Sequence, residues 1–168
     1  GQWYWPTAAP MVTWHDVAAL APDAAAAWQH TIAAPPGEVA TVESPQWTAA
    51  ETAKLSIAET PATPRTEGTI IDFQRNYLWA SIWAPAPGLI TINEMYFGHG
   101  WHAWDNGVEV PIRAVNGFAR GVWVDAGAHN IEMRYQPPRL WIALGCSVLG
   151  WSIVAVWCLL RLLRRKRV

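Results

Sequence analysis

The sequence predicts a mainly β chain: an antiparallel β-sandwich of jelly-roll or immunoglobulin type, with a short helical N-terminal part and one C-terminal transmembrane α-helix. Three observations predict it. Between 68 and 135, short strand candidates recur at the spacing of roughly 8–12 residues typical of sandwiches. From Leu140 to Leu160 runs a stretch of 21 residues without a charge. The charges are divided along the chain. All 13 acidic residues lie before Leu140, while five of the 12 basic ones (Arg161, Arg164, Arg165, Lys166, Arg167) lie in the last eight positions. The net charge of −1 therefore averages an acidic region over a basic tail. Hydrophobic residues make up 52% and charged residues 15%, which excludes a disordered chain.

Residues 1–66 are rich in Ala, Pro and Thr. WYW at 3–5 and MVTW at 11–14 read as short strands. Asp16 to Ile32 reads as mostly helical, interrupted near Pro22, with Asp23 capping the second piece. Pro35-Pro-Gly37 ends it, 38–43 reads as a strand, and 44–66 reads as a loop. The regular strands follow: Thr69–Gln74, Tyr77–Trp83, Leu89–Tyr96, His102–Trp104, Val108–Arg113, Gly121–Val124 and Asn130–Tyr135. Turn signals separate them at Ala84–Gly88 (APAPG), Asp105-Asn-Gly107, Val115-Asn-Gly117 and Asp125-Ala-Gly127. This divides the chain into a domain over 1–137, a membrane helix over 138–163 and a basic tail over 164–168.

The uncharged stretch is about 31 Å long as a helix, close to the thickness of a bilayer's hydrocarbon core. The basic cluster places the C-terminus in the cytoplasm and 1–137 on the other side of the membrane. Trp141 is expected to anchor the outer interface, and Arg161, Arg164, Arg165, Lys166 and Arg167 the inner one. Ala143, Ser147 and Gly150 form a small-residue stripe that lets another helix approach. Trp151, near the bilayer centre, is expected to pack on a neighbouring helix, a lipid or a cofactor of a larger assembly. Cys146 and Cys158 lie inside the span, so the exterior domain has no disulfide framework. The chain opens on Gly1 with no signal peptide in view. An exported domain is thus expected to have been preceded by a signal or a longer membrane-embedded region.

Over nearly the whole chain, and most strongly from about 84 to 160, the residues resemble the C-terminal extracytoplasmic domain and last transmembrane helix of the YfhO family, large bacterial membrane proteins related to GT-C glycosyltransferases. The resemblance implies the periplasmic or extracytoplasmic domain of a bacterial inner-membrane protein. The matching residues are Pro87-Gly88-Leu89, Tyr96-Phe97, Gly100-Trp101, Asp105, Gly107, Val110-Pro111, Asn116, Phe118, Arg120, Gly127, His129 and Tyr135. The opening WYWPTA is similar to the start of that domain. The departure is Gly98-His99, where the family pattern has a single Pro. The resemblance implies a domain that assists an enzyme without being one, because the family's catalytic carboxylate belongs to a membrane core preceding this region.

The residues themselves carry no P-loop, GxSxG, DxD or CxxC pattern. No catalytic residue, cofactor or metal is expected, and no nucleic acid. His99, His102 and Asp105 have metal-ligand chemistry at three-residue spacing, but in a strand such spacing points to opposite faces. They read as exposed polar residues. His15-Asp16 reads as a helix N-cap and His129 as structural. The 13 Trp exceed what one core needs. Alternation cannot bury Trp79, Trp83, Trp101, Trp104 and Trp123 on one inner face, and exposed aromatics mark interfaces. The expected function is a non-catalytic single-pass accessory subunit of a larger membrane complex, of the respiratory or photosynthetic kind. Its partners would be the lipid bilayer and other membrane-protein subunits. The alternatives are the accessory domain of a GT-C-like transferase of envelope glycans, and a weak glycan-binding module using Trp101, Trp104, Trp123 and Tyr96.

Overall fold

Turn chemistry sets where the strands end. Asn106 and Gly107 take φ of 49° and 86°, and Asn116 and Gly117 take 57° and 77°. Two consecutive left-handed residues make the tight hairpin turn that Asn-Gly favours. The computed structural model describes residues 10–33, 39–55, 57, 63–137 and 139–165. It divides into two units, Gly1–Gln136 and Pro137–Val168.

The first unit is a two-sheet sandwich, antiparallel in all but one strand pair. Its elements are β1 (Val12–His15), β2 (Ala18–Ala21), α1 (Ala24–Ala33), β3 (Ala40–Glu43), α2 (Ala49–Thr52), β4 (Thr66–Glu67), β5 (Thr69–Gln74), β6 (Tyr77–Ala84), β7 (Gly88–Ile92), β8 (Trp101–Asp105), β9 (Val108–Val110), β10 (Arg113–Val115), β11 (Ala119–Val124) and β12 (Gly127–Tyr135). One sheet has the order β2-β3-β10-β11-β7-β1-β4 and the other β5-β6-β12-β8-β9. The core lies between them. Val12, Trp14, Ile90, Ile92, Val122 and Val124 come from the larger sheet, and Leu78, Ala80, Ile82, Ala103, Ile131 and Met133 from the smaller. Each large side chain buried there contributes about 1.5–3 kcal/mol.

The outer face of the larger sheet is covered by the chain itself. Trp47 and Leu55 pack over Val42, Leu89, Val115 and Ala119. A capping box secures the covering segment, with Glu51 N–H donating to Thr48 Oγ1 and Thr48 N–H to Glu51 Oε2. Arg113 then holds Glu51 at 2.7 Å. At the other end α1 closes on the β10–β11 turn. A Cβ at Gly117 would stand 2.8 Å from the Trp28 Cβ, so only glycine fits there. Trp28 meets Phe118 edge-on at 5.6 Å.

Several expectations need correcting. The first half of the expected helix is β2, which pairs in parallel with β3 from Ala18↔Ala40 to Ala21↔Glu43. Ala18, Ala19 and Ala21 are buried there, so tertiary pairing overrides alanine's helix preference. The helix proper starts at Ala24, and Asp23 caps it, its Oδ1 accepting from Ala26 N–H at 2.8 Å. His15 is accordingly no N-cap neighbour: it sits in β1, its Nε2 3.1 Å from Thr91 Oγ1. The region expected as a loop at 44–66 holds a 3-10 turn (Ser44–Gln46), α2 and β4. The single strand expected over 108–113 is two, because Pro111 lacks the N–H a ladder needs. They join different sheets. The strand expected over 89–96 stops at Ile92. WYW at 3–5 and the Pro-Pro-Gly stop lie outside the described residues.

Glu43 is buried at the end of β3, with Oε2 accepting from Gln46 at 2.7 Å and Oε1 without a hydrogen-bond partner among the described residues. Burial raises its carboxyl above the usual value, the Gln46 bond lowers it, and Asp23 raises it again. An acid whose folded pKa is raised favours the fold most while protonated, and that advantage is lost as pH rises from 4.5 through the folded value. Glu43→Gln is therefore expected to stabilise the protein by about 1–2 kcal/mol at pH 7. The gain should shrink below the usual carboxyl range, as thermal melts at the two pH values will read.

The second unit contains α3 (Leu140–Arg165). Its segment Leu140–Leu159 has mean hydropathy 2.1 and none of it is buried, so this helix is long and apolar enough to cross a membrane. Trp141 and Trp151 are among its exposed residues, and Cys146 and Cys158 are free thiols. The helix runs to Arg165, two residues beyond the expected limit at 163, so Arg164 and Arg165 are helical. Lys166 and Arg167 lie outside the described residues.

Candidate functional site

The tryptophans singled out in the sequence do not form one platform. The β8 alternation separates them first: Ala103 faces the core, so His102 and Trp104 face outward while Trp101 and Asp105 share the inner side. Trp123 belongs to the other sheet, where Lys54 lies 4.6 Å above its ring. Trp79, Trp83 and Trp104 share the outer face of the five-stranded sheet.

That outer face has an ordered composition. Register places Asp72 opposite Trp79, Trp79 opposite Glu132, Glu132 opposite Trp104, and Trp104 opposite Glu109. The row crosses all five strands and alternates acid with tryptophan. Directly opposed residues project to the same side, and Trp79 and Trp104 are two strand spacings apart, about 10 Å. The next row sets Tyr77, Arg134 and His102 side by side. Arg134 lies 5.5 Å from the Trp104 ring and 5.8 Å from Tyr77, and pairs with Glu132 at 2.6 Å. His102 Nδ1 is 2.8 Å from Glu109. Tyr77's hydroxyl stands above the ordinary phenol range through burial first and the charge of Glu132 second. Trp83, at the end of β6, is 58% exposed, which no core role explains. The face thus combines flat aromatic area with three carboxylates and one guanidinium. Its chemistry suits a partner surface bearing cations, which would meet both carboxylates and indole faces.

The inner residues close the two ends of the sandwich. At one end His129 Nδ1 lies 2.8 Å from Asp105 Oδ2, and Nε2 lies 2.9 Å from the Asp125 carbonyl. At the other end Arg120 stacks 3.9 Å over the Trp101 ring, and Trp101 meets Tyr135 at 5.6 Å. Asn116 Oδ1 accepts from Thr41 N–H at 2.8 Å, tying β3 to the β10–β11 turn. Most polar residues carrying the family resemblance are therefore occupied in holding the fold. The sequence reading missed the Arg120 cluster, although the signal was present: Arg120 is in phase with Val122 and Val124, so its side chain belongs to the inner face.

His99, His102 and Asp105 are not brought together. His102 faces outward to Glu109, Asp105 inward to His129, and His99 lies in the preceding turn. Among the described residues no group of three or more His, Cys, Asp or Glu has metal-binding geometry. A cleft of about 220 Å³ runs beside Trp47, Lys54, Arg113 and Trp123 on the larger sheet. Compared with known protein families, curated proteins and solved structures, the chain matches none of them.

Proposed function

We propose that the chain is a non-catalytic, single-pass accessory subunit of a larger bacterial membrane complex. Its sandwich domain lies outside the cytoplasm and binds a protein partner through Trp79, Trp83 and Trp104. The observation that carries this reading is the row Asp72-Trp79-Glu132-Trp104-Glu109, with Arg134 beside it, on the outer face of the smaller sheet. The opposite sheet covers its own outer face with 44–55, and no comparable segment of the described residues covers this one. The long apolar helix supplies the anchor, and its stripe of Ala143, Ser147 and Gly150 supplies a face for a neighbouring helix.

Isolation from native membranes in a mild detergent tests the reading. Stoichiometric membrane-protein partners are expected; a lone monomer contradicts it. The resemblance to YfhO proteins supports a second reading, the accessory domain of a glycosyltransferase. It is favoured instead if the only co-purifying material is an upstream membrane region encoded by the same gene.

Orientation follows from the basic tail, each Lys or Arg near an anionic leaflet contributing about 1 kcal/mol. Replacing Arg164, Arg165, Lys166 and Arg167 with Glu is expected to randomise topology while leaving the sandwich folded. A reporter fused after Val168 reads this, and a fully cytoplasmic signal from the variant contradicts it.

A further inference from the structure

Arg120 has few partners for a charge so deeply placed. It is 3% exposed. Its Nε donates to the Met95 carbonyl at 3.1 Å, and Nη1 approaches the weakly accepting Met133 Sδ at 4.0 Å. Among the described residues no carboxylate pairs with it. Burial accordingly pushes the guanidinium down from its ordinary value, and the nearby charge of Glu94 pulls the other way. Burying an unpaired cation costs several kcal/mol, and stacking on Trp101 offsets only part of that.

The surroundings of Arg120 say what it can do. Arg120 lines an open pocket of about 540 Å³ together with Trp101, Tyr135, Arg75, His99 and Glu94. Two guanidiniums against one carboxylate leave the lining with one net positive charge when His99 is neutral. The two aromatic rings, tilted 54° to each other, provide an apolar wall beside the charges. A fork of N–H donors next to an apolar wall suits a tetrahedral oxyanion carrying an organic group. Glu94 can accept from a hydroxyl or ammonium on that group. At the Asp105–His129 end, by contrast, carboxylate and imidazole satisfy each other.

We infer that the Arg120 pocket binds a phosphodiester, its anionic oxygens on Arg120 and Arg75 and its organic substituent against Trp101 and Tyr135. Two sources share this chemistry: a phospholipid headgroup and a soluble phosphodiester.

The test uses the full chain in octaethylene glycol monododecyl ether micelles, which contain neither phosphate nor sugar. One arm titrates glycerophosphoethanolamine by calorimetry. The other dopes the micelles with dioleoylphosphatidylethanolamine and counts phosphorus retained after gel filtration. Saturable binding in the first arm assigns the site to soluble esters, and retention in the second alone assigns it to lipid. In either case Arg120→Gln is expected to weaken binding at least about tenfold, the loss of one charge-assisted contact. Arg75→Gln, exposed in the β5–β6 turn and harmless to the fold, should weaken it severalfold. Arg134→Gln, on the outer face, should change nothing. No binding in either arm, or equal binding by wild type, Arg120→Gln and Arg75→Gln, overturns the inference. The Arg75 variant keeps the test decisive should Arg120→Gln unfold.

Discussion

Trp14→Ala is expected to destabilise the sandwich by about 3–5 kcal/mol, the largest single-residue effect in the domain. Trp14 is fully buried in β1, between sheets, and its closeness to the chain at Gly88 shows how tightly it is enclosed. A Cβ at Gly88 would stand 2.5 Å from the indole nitrogen and 2.4 Å from the His15 carbonyl. The surrounding strands are hydrogen-bonded on both sides, β1 to β4 and β7, so the cavity cannot collapse readily. Among the described residues the indole N–H has no hydrogen-bond partner. The loss is therefore one of packing, and Trp14→Phe, which keeps a ring, should cost less than half as much. Thermal melts of the full chain in micelles measure both, with a drop on the order of 10 °C expected for alanine. A shift within error of wild type would show that the two sheets do not pack through this residue.

The second large effect concerns association and should leave stability alone. Trp79→Ser with Trp104→Ser is expected to weaken partner binding at least about a hundredfold. Central interface tryptophans typically contribute 2 kcal/mol or more each. Both side chains project from the outer face, and the inner neighbours Leu78, Ala80 and Ala103 that hold the core are untouched. The double variant should melt within a few degrees of wild type. Loss of binding together with unfolding would make these tryptophans structural, and unchanged binding would remove them from the interface.

Much of the fold was legible because local chemistry and tertiary demand agree. The Asn-Gly turns at 106–107 and 116–117 can be read from two residues each, since left-handed backbone has so few tenants. β6 alternates in burial along its whole length, as period two requires, whereas β5 does not: Ile71 and Phe73 are exposed and its register shifts between Ile70 and Asp72. Legibility failed where the two conflict. Ala18–Ala21 has helical residues, yet its small side chains let β2 pair in parallel with β3, with Ala18 also bridged to Ile57. The capping box Thr48-Ala-Ala-Glu51 announces a helix start, but the helix it starts is only four residues long, too short to show a helical period. The outward placement of Trp79, Trp83 and Trp104 follows from period two alone. Their alignment in one row does not, because strand order and register are long-range properties. The Arg120 pocket depends on two sheets meeting and is invisible until β11 is set against β8 and β12.

The measurement that tests the central claim most directly is photo-crosslinking in intact membranes, with benzoylphenylalanine in place of Trp83 on the outer face and, separately, of Lys54 on the self-covered sheet. The account predicts one dominant protein adduct from position 83 and none from position 54. No adduct from 83, or the same adducts from both positions, would contradict an aromatic face committed to a partner.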